Sequence, residues 1–219
     1  YRGRQVYEWI WRKSCYSFDE MTNISKDLRN VLDNHFVINH IQVDKIQKSF
    51  DGTIKNAVKL HDDHTVESVL IPTDDRTTAC VSSQVGCSLD CKFCATSKLK
   101  RMRNLNPDEI YDQVVTINDQ SLKYFNRPLS NIVYMGMGEP LMNYNNLIKS
   151  IEKISSDKGL NMSQKRIVVS TSGIPKMIKK LADENLKVNL ALSLHSAIEE
   201  TRNMIMPFSK KFSLIEIKD

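Results

Sequence analysis

The sequence lacks any stretch that approaches about 20 uninterrupted apolar residues, so it predicts no membrane-spanning helix. With only 7 glycines and 6 prolines in 219 residues, it cannot be a collagen-like chain. The first residues interleave Arg2, Arg4 and Glu8 with aromatic side chains and therefore lack the apolar core of a secretory signal. Internal repeats and low-complexity tracts are also missing.

Neither sign of charge is in large excess. The chain has 31 Lys and Arg against 26 Asp and Glu, a net charge of +5, and 41% hydrophobic residues. This balance argues against global disorder, and the mild positive charge permits a polyanionic partner without requiring one. The length allows one sizeable core plus a small companion domain. Because Tyr1 and not Met comes first, we expect the natural chain to start further upstream.

Cysteine is scarce and unevenly placed. The five cysteines are Cys15, Cys80, Cys87, Cys91 and Cys94. An odd number, with three crowded into one short segment, makes a poor disulfide framework. The cysteines therefore favour a reducing compartment and a metal or cluster site.

The first seventy-odd residues predict helices followed by a β-meander. Val6, Trp9 and Ile10 follow helical spacing, and Ser25 is a candidate cap for a second helix. Asp51-Gly52 is a strong hairpin signal between two strand-like runs, and a third run ends near Pro72. We therefore divide the chain into a helical region at 1–40, a β-meander at 41–75 and a core at 76–219.

From about residue 78 the pattern alternates between strand and helix. The strands are predicted at residues 79–85, 131–135, 166–170 and 187–194. Asn106 caps the first intervening helix, which has Pro107 at its first position, and a further helix starts near Ser213. Short apolar strands that alternate with helices predict an α/β fold with a parallel sheet. A complete eight-unit barrel needs roughly 200 residues or more, so the four units here predict a partial (βα) barrel.

The three clustered cysteines follow the first strand with the spacing C-x3-C-x2-C. Three thiolates on one loop can hold three corners of a 4Fe–4S cluster and leave the fourth iron open for a ligand. Two alternatives stay open from the residues alone. One is a zinc site with Cys80 as the fourth ligand, and the other is three unrelated buried cysteines.

A second motif, Gly136-Met137-Gly138-Glu139-Pro140, ends the second strand. Glycine lets the backbone approach a ligand closely, and exposed carbonyls with the Glu139 carboxylate suit an ammonium group. The alternative is a turn that merely reverses the chain. Ligands collect at the carboxyl ends of parallel strands, so this motif beside the cysteine loop favours a ligand site.

Together these motifs resemble the radical S-adenosylmethionine superfamily, and more closely its dual-specificity RNA adenine C2-methyltransferases. The resemblance rests on residues 74–87 and Cys91-Lys92-Phe93-Cys94, on residues 135–143, and on Ser170-Thr171-Ser172-Gly173, Ser193-Leu194-His195, Arg202 and Met206-Pro207. The N-terminal residues 1–10 fit the same family. The sister group that methylates adenine C8 usually lacks the proline of the second motif, so Pro140 favours C2 chemistry.

The resemblance implies a set of cofactor ligands. Cys87, Cys91 and Cys94 would bind the 4Fe–4S cluster, and S-adenosylmethionine would chelate its open iron. The remaining cofactor-binding positions implied are Gly138, Glu139, Ser170, Ser193, Leu194 and His195. From the residues alone, His195 at a strand end is more often structural, so we assign it only to the lining of the pocket.

The resemblance also implies a reaction on adenosine in 23S ribosomal RNA and in transfer RNA next to the anticodon. In the family, a cysteine is methylated and the methyl carbon, activated by a 5′-deoxyadenosyl radical, adds to adenine C2 and crosslinks protein to RNA. Cys80 matches the cysteine that resolves the crosslink through a transient disulfide, and Glu67 matches a proton acceptor. Read without the resemblance, Cys80 is a buried strand thiol and Glu67 lies on the solvent face of a strand.

The chain departs from the family at its end, since no cysteine follows Cys94 to carry the methyl group. We therefore expect a fragment that does not turn over alone. The expected partners are the two RNAs and an electron donor such as flavodoxin or ferredoxin, with no membrane. We further expect a monomer in the cytoplasm.

Basic residues flank the cluster loop and predict an RNA surface. These are Lys98, Lys100, Arg101 and Arg103. They would meet phosphates in a salt-sensitive contact, and the alternative is an ordinary solvated loop. A non-catalytic, zinc-bearing RNA-binding module remains the alternative to an enzyme.

Overall fold

The computed structural model describes residues 1–218, and two helices open the chain. Helix α1 spans Arg2–Trp11 and α2 spans Lys26–His35. The residues between and around them bury a small separate core of Cys15, Phe18, Met21 and Ile24. The predicted helical character of residues 1–40 is confirmed. Ser25 occupies the position before α2 as predicted, but its side chain makes no capping hydrogen bond.

The predicted β-meander is present. Strands β1 Gln42–Lys48, β2 Ile54–Lys59 and β3 Thr65–Pro72 pair antiparallel in chain order. Gly52 adopts φ +84° in the first turn, which explains the Asp51-Gly52 hairpin signal. The buried residues of β2 and β3 alternate with exposed ones, as expected for strands with one covered face.

Four parallel strands continue the same sheet and alternate with helices. The strands are β4 Thr77–Cys80, β7 Asn131–Tyr134, β8 Ile167–Thr171 and β9 Asn189–Leu192, and a separate two-stranded sheet joins β5 Gln84–Val85 to β6 Arg103–Asn104. The helices are α3 Pro107–Phe125, α4 Tyr144–Ser155, α5 Pro175–Asp183, α6 Glu199–Ile205 and α7 Leu214–Lys218. The strand order in the large sheet is β1-β2-β3-β4-β7-β8-β9.

The prediction of a single strand at residues 79–85 is wrong. It divides into β4 and β5, which belong to different sheets. Between them Ser82 leaves the ladder, because its amide donates to Gln113 and its hydroxyl accepts a hydrogen bond from the Met137 amide. The bend carries the following residues away from the parallel sheet and towards the cysteine loop.

The boundary predicted after residue 75 falls in a turn, in which the Thr73 amide donates to the Arg76 carbonyl at 2.7 Å, but the sheet continues across it. Antiparallel β3 pairs directly with β4, so the meander and the parallel strands form one seven-stranded sheet. The division into regions 1–40, 41–75 and 76–219 stays a prediction, since a continuous sheet does not define where a unit ends. None of the helices in residues 1–218 combines the length and apolar character that crossing a membrane requires.

The two faces of the sheet differ. One face carries the fully buried Leu70, Ala79 and Ile132, which belong to the main core together with residues of α3 and α4. The opposite face, which we name the open face, carries Val69 and the residues in register with it, Cys80 and Val133. These open-face residues are only partly buried. The cysteine loop lies at the carboxyl end of the parallel strands.

Candidate radical and cofactor site

The cysteine loop closes on itself after β5. Gly86 adopts φ +73°, and a side chain there would lie 2.2 Å from the carbonyl oxygen of Lys100, so only glycine fits. The Cys87 amide donates to the Leu99 carbonyl at 3.3 Å across the base of the loop. Inside the loop the Ser97 hydroxyl lies 2.7 Å from the carbonyl oxygens of both Cys91 and Cys94. These contacts hold three cysteines on one short, ordered segment.

The thiols of this loop act on one another. Burial, together with the charges of Cys87, Cys94 and Glu139, raises the pKa of Cys91 to about 11. Burial also raises the pKa of Cys87, again with contributions from Cys94 and Glu139. Partly buried thiols that repel one another as thiolates favour a positively charged group between them. The donor set therefore fits the irons of a cluster.

The structure gives no support to the zinc alternative. Among residues 1–218 no three His, Cys, Asp or Glu side chains converge closely enough to hold a single metal ion. Cys80 lies on β4, and its pKa is raised to about 11 by burial with no contribution from the other cysteines. It is therefore not placed as a fourth ligand. A 4Fe–4S cluster has separate irons for separate thiolates and needs no such convergence.

The Gly-Glu-Pro loop packs against the start of the cysteine segment. Gly138 adopts φ +97°, and a side chain there would approach Cβ of Gln84 to 2.5 Å. Gln84 in turn accepts a hydrogen bond from the Glu139 amide at 2.9 Å. The second motif is thus a fitted contact between two loops and not a simple chain reversal.

The Glu139 carboxylate is 3% exposed and faces the loop after β8. Its Oε2 accepts hydrogen bonds from the amide and hydroxyl of Ser172, and its Oε1 accepts one from the Leu141 amide at 3.2 Å. Burial raises the pKa of Glu139, and these hydrogen bonds oppose the shift. A buried carboxylate with lone pairs to spare on Oε1 suits an ammonium group. Sequence reasoning missed Ser172, although it lies in the quoted Ser-Thr-Ser-Gly run.

The ends of β8 and β9 come together beside the cysteine loop. The hydroxyl oxygens of Ser170 and Ser193 lie 3.5 Å apart, and the Ser193 amide donates to the Thr171 carbonyl at 2.8 Å. The His195 ring packs on Phe93 of the cysteine loop with ring centroids 4.2 Å apart. Leu194 beside it is 39% exposed. The structure therefore brings the predicted pocket residues of both strands to the edge where the cysteines lie.

Cys80 and Glu67 share the open face. Cys80 is in register with Val69, and Glu67 lies two residues along β3 on the same face. Such diagonal neighbours are about 7–8 Å apart in an antiparallel pair. The Glu67 carboxylate is half exposed and forms an ion pair with Lys55 at 2.6 Å. The two residues are thus neighbours on the open face.

Of the predicted RNA contacts, three are exposed and one is not. Lys98, Lys100 and Arg101 are exposed on the cysteine loop and its exit. Arg103 instead forms a bidentate pair with the buried Glu109 and an ion pair with Asp62 at 2.5 Å. Its charge is neutralised within the fold, so the structure does not support Arg103 as a phosphate contact.

Comparison with known proteins identifies the family and the fold of the chain. The family model described as the radical SAM superfamily matches residues 81–214, and a model described as the ribosomal RNA large subunit methyltransferase N-terminal domain matches residues 1–38. A radical SAM methyltransferase from Sphaerobacter thermophilus has a similar structure, with a TM-score of 0.92, 36% identity, and coverage of 100% of this chain and 64% of its own. The fold is therefore the predicted radical SAM α/β type. The chain belongs to the radical SAM superfamily.

Among curated proteins, the chain is 70% identical over its full length to the probable dual-specificity RNA methyltransferase RlmN of Christiangramia forsetii. It is 68% identical to the protein of the same description from Flavobacterium psychrophilum. The chain spans about 62% of the length of the first and 63% of the second. Membership of the superfamily means that the cofactors are a 4Fe–4S cluster and S-adenosylmethionine. The donor groups of the cysteine loop and of the Gly-Glu-Pro loop fit these two cofactors.

Proposed function

We propose that the complete protein methylates C2 of adenosine in 23S ribosomal RNA and in transfer RNA next to the anticodon. The observation that carries this proposal is the joint occurrence, in one chain, of the radical SAM core and the ribosomal RNA methyltransferase N-terminal domain. The curated relatives are described as probable dual-specificity RNA methyltransferases, which supports methylation of two kinds of RNA. Pro140 in the second motif supports C2 over C8 chemistry.

In this proposal each group of residues has a separate task. Cys87, Cys91 and Cys94 hold the cluster, and Gly138 with Glu139 holds the amino end of S-adenosylmethionine. The rest of the pocket is lined by Ser170, Ser193, Leu194 and His195. The bound cofactors supply a radical that can remove hydrogen from an unactivated carbon.

Cys80 and Glu67 act on the RNA side of the reaction. We assign to Cys80 the resolution of a protein–RNA crosslink by formation of a transient disulfide, and to Glu67 the acceptance of a proton. The shared open face and the diagonal register of the two residues support this pairing. Because burial raises the Cys80 pKa to about 11, this cysteine is a thiol at neutral pH and requires a base in order to react.

The RNA approaches the exposed basic residues of the cysteine loop. Lys98, Lys100 and Arg101 contact phosphates, and the target adenosine is unstacked because C2 is unreachable inside a helix. An electron donor such as flavodoxin or ferredoxin supplies the reducing electron. We further propose that the protein is a monomer and acts in the cytoplasm.

The test uses the complete gene product, reconstituted anaerobically with iron and sulfide and supplied with S-adenosylmethionine and a reductant. Transcripts of a 23S ribosomal RNA domain and of a transfer RNA are digested after reaction, and their nucleosides are separated by mass spectrometry. We expect 2-methyladenosine from both RNAs. 8-Methyladenosine would assign the protein to the sister activity, and RNA binding without either product would leave a binding module.

A substitution of Cys80 tests the role that we assign to this residue on the open face. Cys80→Ala is expected to accumulate a protein–RNA crosslink that denaturing gels resolve, because methyl transfer to adenine proceeds while release does not. Cys15→Ala is the matched control, since Cys15 is a buried thiol in the N-terminal core. If Cys80→Ala releases product at the rate of the unmodified protein, Cys80 has no role in resolution.

A further inference from the structure

The guanidinium of Arg202 is buried in a place where the fold offers it little compensation. Arg202 lies on α6 and is 1% exposed. Its Nη2 donates to the Ser172 carbonyl at 2.5 Å, but its Nε has no hydrogen-bond partner in the structure of residues 1–218. Over those same residues it forms no ion pair with a carboxylate. An arginine side chain stays charged, so this arrangement is costly unless a negative charge approaches it.

Arg202 lies behind the cysteine loop. The backbone joins the two elements directly, because the Lys92 amide donates to the Ile205 carbonyl at the end of α6 at 2.8 Å. Burial lowers the pKa of the Arg202 guanidinium, and the charges of Cys91 and the exposed Glu199 oppose that shift. Cys91, which we assign as a cluster ligand, therefore lies within electrostatic reach of Arg202.

A second contact, through Ser172, links Arg202 to Glu139. The same serine donates its amide and hydroxyl to Glu139, at 2.7 Å and 2.8 Å. Arg202 therefore faces both the cysteine loop and the loop that we assign to the amino end of S-adenosylmethionine. This position rules out a role as an RNA contact, because a fully buried side chain cannot reach a phosphate.

A cluster held by three thiolates is net negative, and one-electron reduction adds a further negative charge. The reduction potential of an iron–sulfur cluster depends on net charge, hydrogen bonding and solvent exposure around it. A buried positive charge stabilises the reduced form more than the oxidised form. A charge in water has a weaker effect, because solvent and salt screen it.

We propose that the buried positive charge of Arg202 compensates the negative charge of the cluster bound at Cys87, Cys91 and Cys94. This compensation raises the reduction potential of the cluster. The step is the gain of one electron by the cluster from an external reductant, with no proton transferred. The inference rests on the proposed cluster ligands but not on the proposed RNA substrate.

The experiment is a potentiometric titration of the reconstituted complete gene product, followed by electron paramagnetic resonance of the reduced cluster. Arg202→Gln removes the buried charge, Arg202→Lys retains it, and Lys92→Gln removes an exposed charge next to Cys91. We expect Arg202→Gln to lower the equilibrium constant for one-electron reduction about tenfold, which is about 59 mV. Arg202→Lys and Lys92→Gln are expected to stay within about threefold of the unmodified protein.

Iron and sulfide counts accompany each titration, so that a change in potential is read only from fully loaded protein. A loaded Arg202→Gln protein with an unchanged potential would reduce Arg202 to a structural contact of Ser172. If the glutamine variant does not load, the lysine variant decides. A tenfold change in Arg202→Lys, despite the retained charge, would overturn the proposal, and so would an equal change in Lys92→Gln. RNA methylation enters none of these measurements.

Discussion

One oxygen of the Glu139 carboxylate accepts two hydrogen bonds from Ser172, one from its amide at 2.7 Å and one from its hydroxyl at 2.8 Å. Glu139 follows β7 and Ser172 follows β8, so this contact joins the loops after two neighbouring parallel strands. It also holds a buried carboxylate in place before any ligand is bound. Preorganised acceptors of this kind reduce the ordering cost of binding.

Ser172→Ala tests this contact. The variant loses one hydrogen bond to a buried carboxylate, which is worth about 1.5–3 kcal/mol of folding free energy. We also expect several-fold weaker binding of S-adenosylmethionine to the reconstituted protein, measured by calorimetry. Ser150→Ala is the matched control, because Ser150 is also buried and its hydroxyl lies 2.8 Å from that of Tyr134, away from the Glu139 loop. Equal losses of affinity in both variants would mean that stability alone is responsible.

The cluster assignment is tested by metal content. Cys91→Ser is expected to lose most of the bound iron and sulfide after anaerobic reconstitution, because one of the three thiolate ligands is missing. Cys15→Ser is expected to retain about four irons and four sulfides, as Cys15 belongs to the separate N-terminal core. Zinc without sulfide in the unmodified protein would contradict the assignment.

Local signals predicted much of the fold. The helix after Asn106 was predictable because Asn106 and Glu109 form a capping box with each other, and Pro107 takes the first position. The Asp51-Gly52 hairpin was also predictable from local sequence, because the two residues that favour the turn are part of the turn itself. The placement of both motifs at strand ends also followed from the alternation of strands and helices.

Other features depend on residues far apart in the chain. The break after β4 is fixed by two hydrogen bonds of Ser82, which donates to Gln113 and accepts from the Met137 amide, and no local pattern marks those partners. Arg103 reads as one more basic residue of the cysteine loop until its pairing with Glu109 and Asp62 is known. Arg202 likewise has an ordinary helical context, and only the tertiary fold shows that it is buried.

A pH dependence of stability follows from Asp112 on α3. Burial, with smaller contributions from the charges of Asp108 and Glu109, raises its pKa from 3.8 to about 7. Since the folded state binds the proton more tightly than the unfolded state, the free energy of unfolding should fall as pH rises from about 4 to about 7. Chemical denaturation at several pH values measures this slope.

Asp112→Asn should flatten that slope, because asparagine does not titrate. The exposed Asp33→Asn on α2 is the control and should retain it. An Asp112→Asn protein whose stability still falls by the same amount between pH 4 and pH 7 would assign the dependence to another group.

The last predictions concern the basic residues near the cysteine loop. Lys100 and Arg101 should contribute to RNA binding, whereas Arg103 should contribute to stability. Lys100→Gln combined with Arg101→Gln should weaken RNA binding and reduce the slope of log affinity against log salt by about two, because two phosphate contacts are lost. Folding should be unchanged, since both side chains are exposed. Lys176→Gln with Lys179→Gln, on the outer helix α5, is the matched control with the same change in net charge.

Arg103→Gln should lower the stability of the fold and leave the salt dependence of RNA binding unchanged. Removing it leaves the buried Glu109 without its bidentate partner and frees Asp62, which should cost about 3–5 kcal/mol of folding free energy. At temperatures where the variant is folded, its salt slope should match that of the unmodified protein, because Arg103 does not reach the RNA. A reduced slope with normal stability would return Arg103 to the RNA surface and would mean that its ion pairs open when RNA binds.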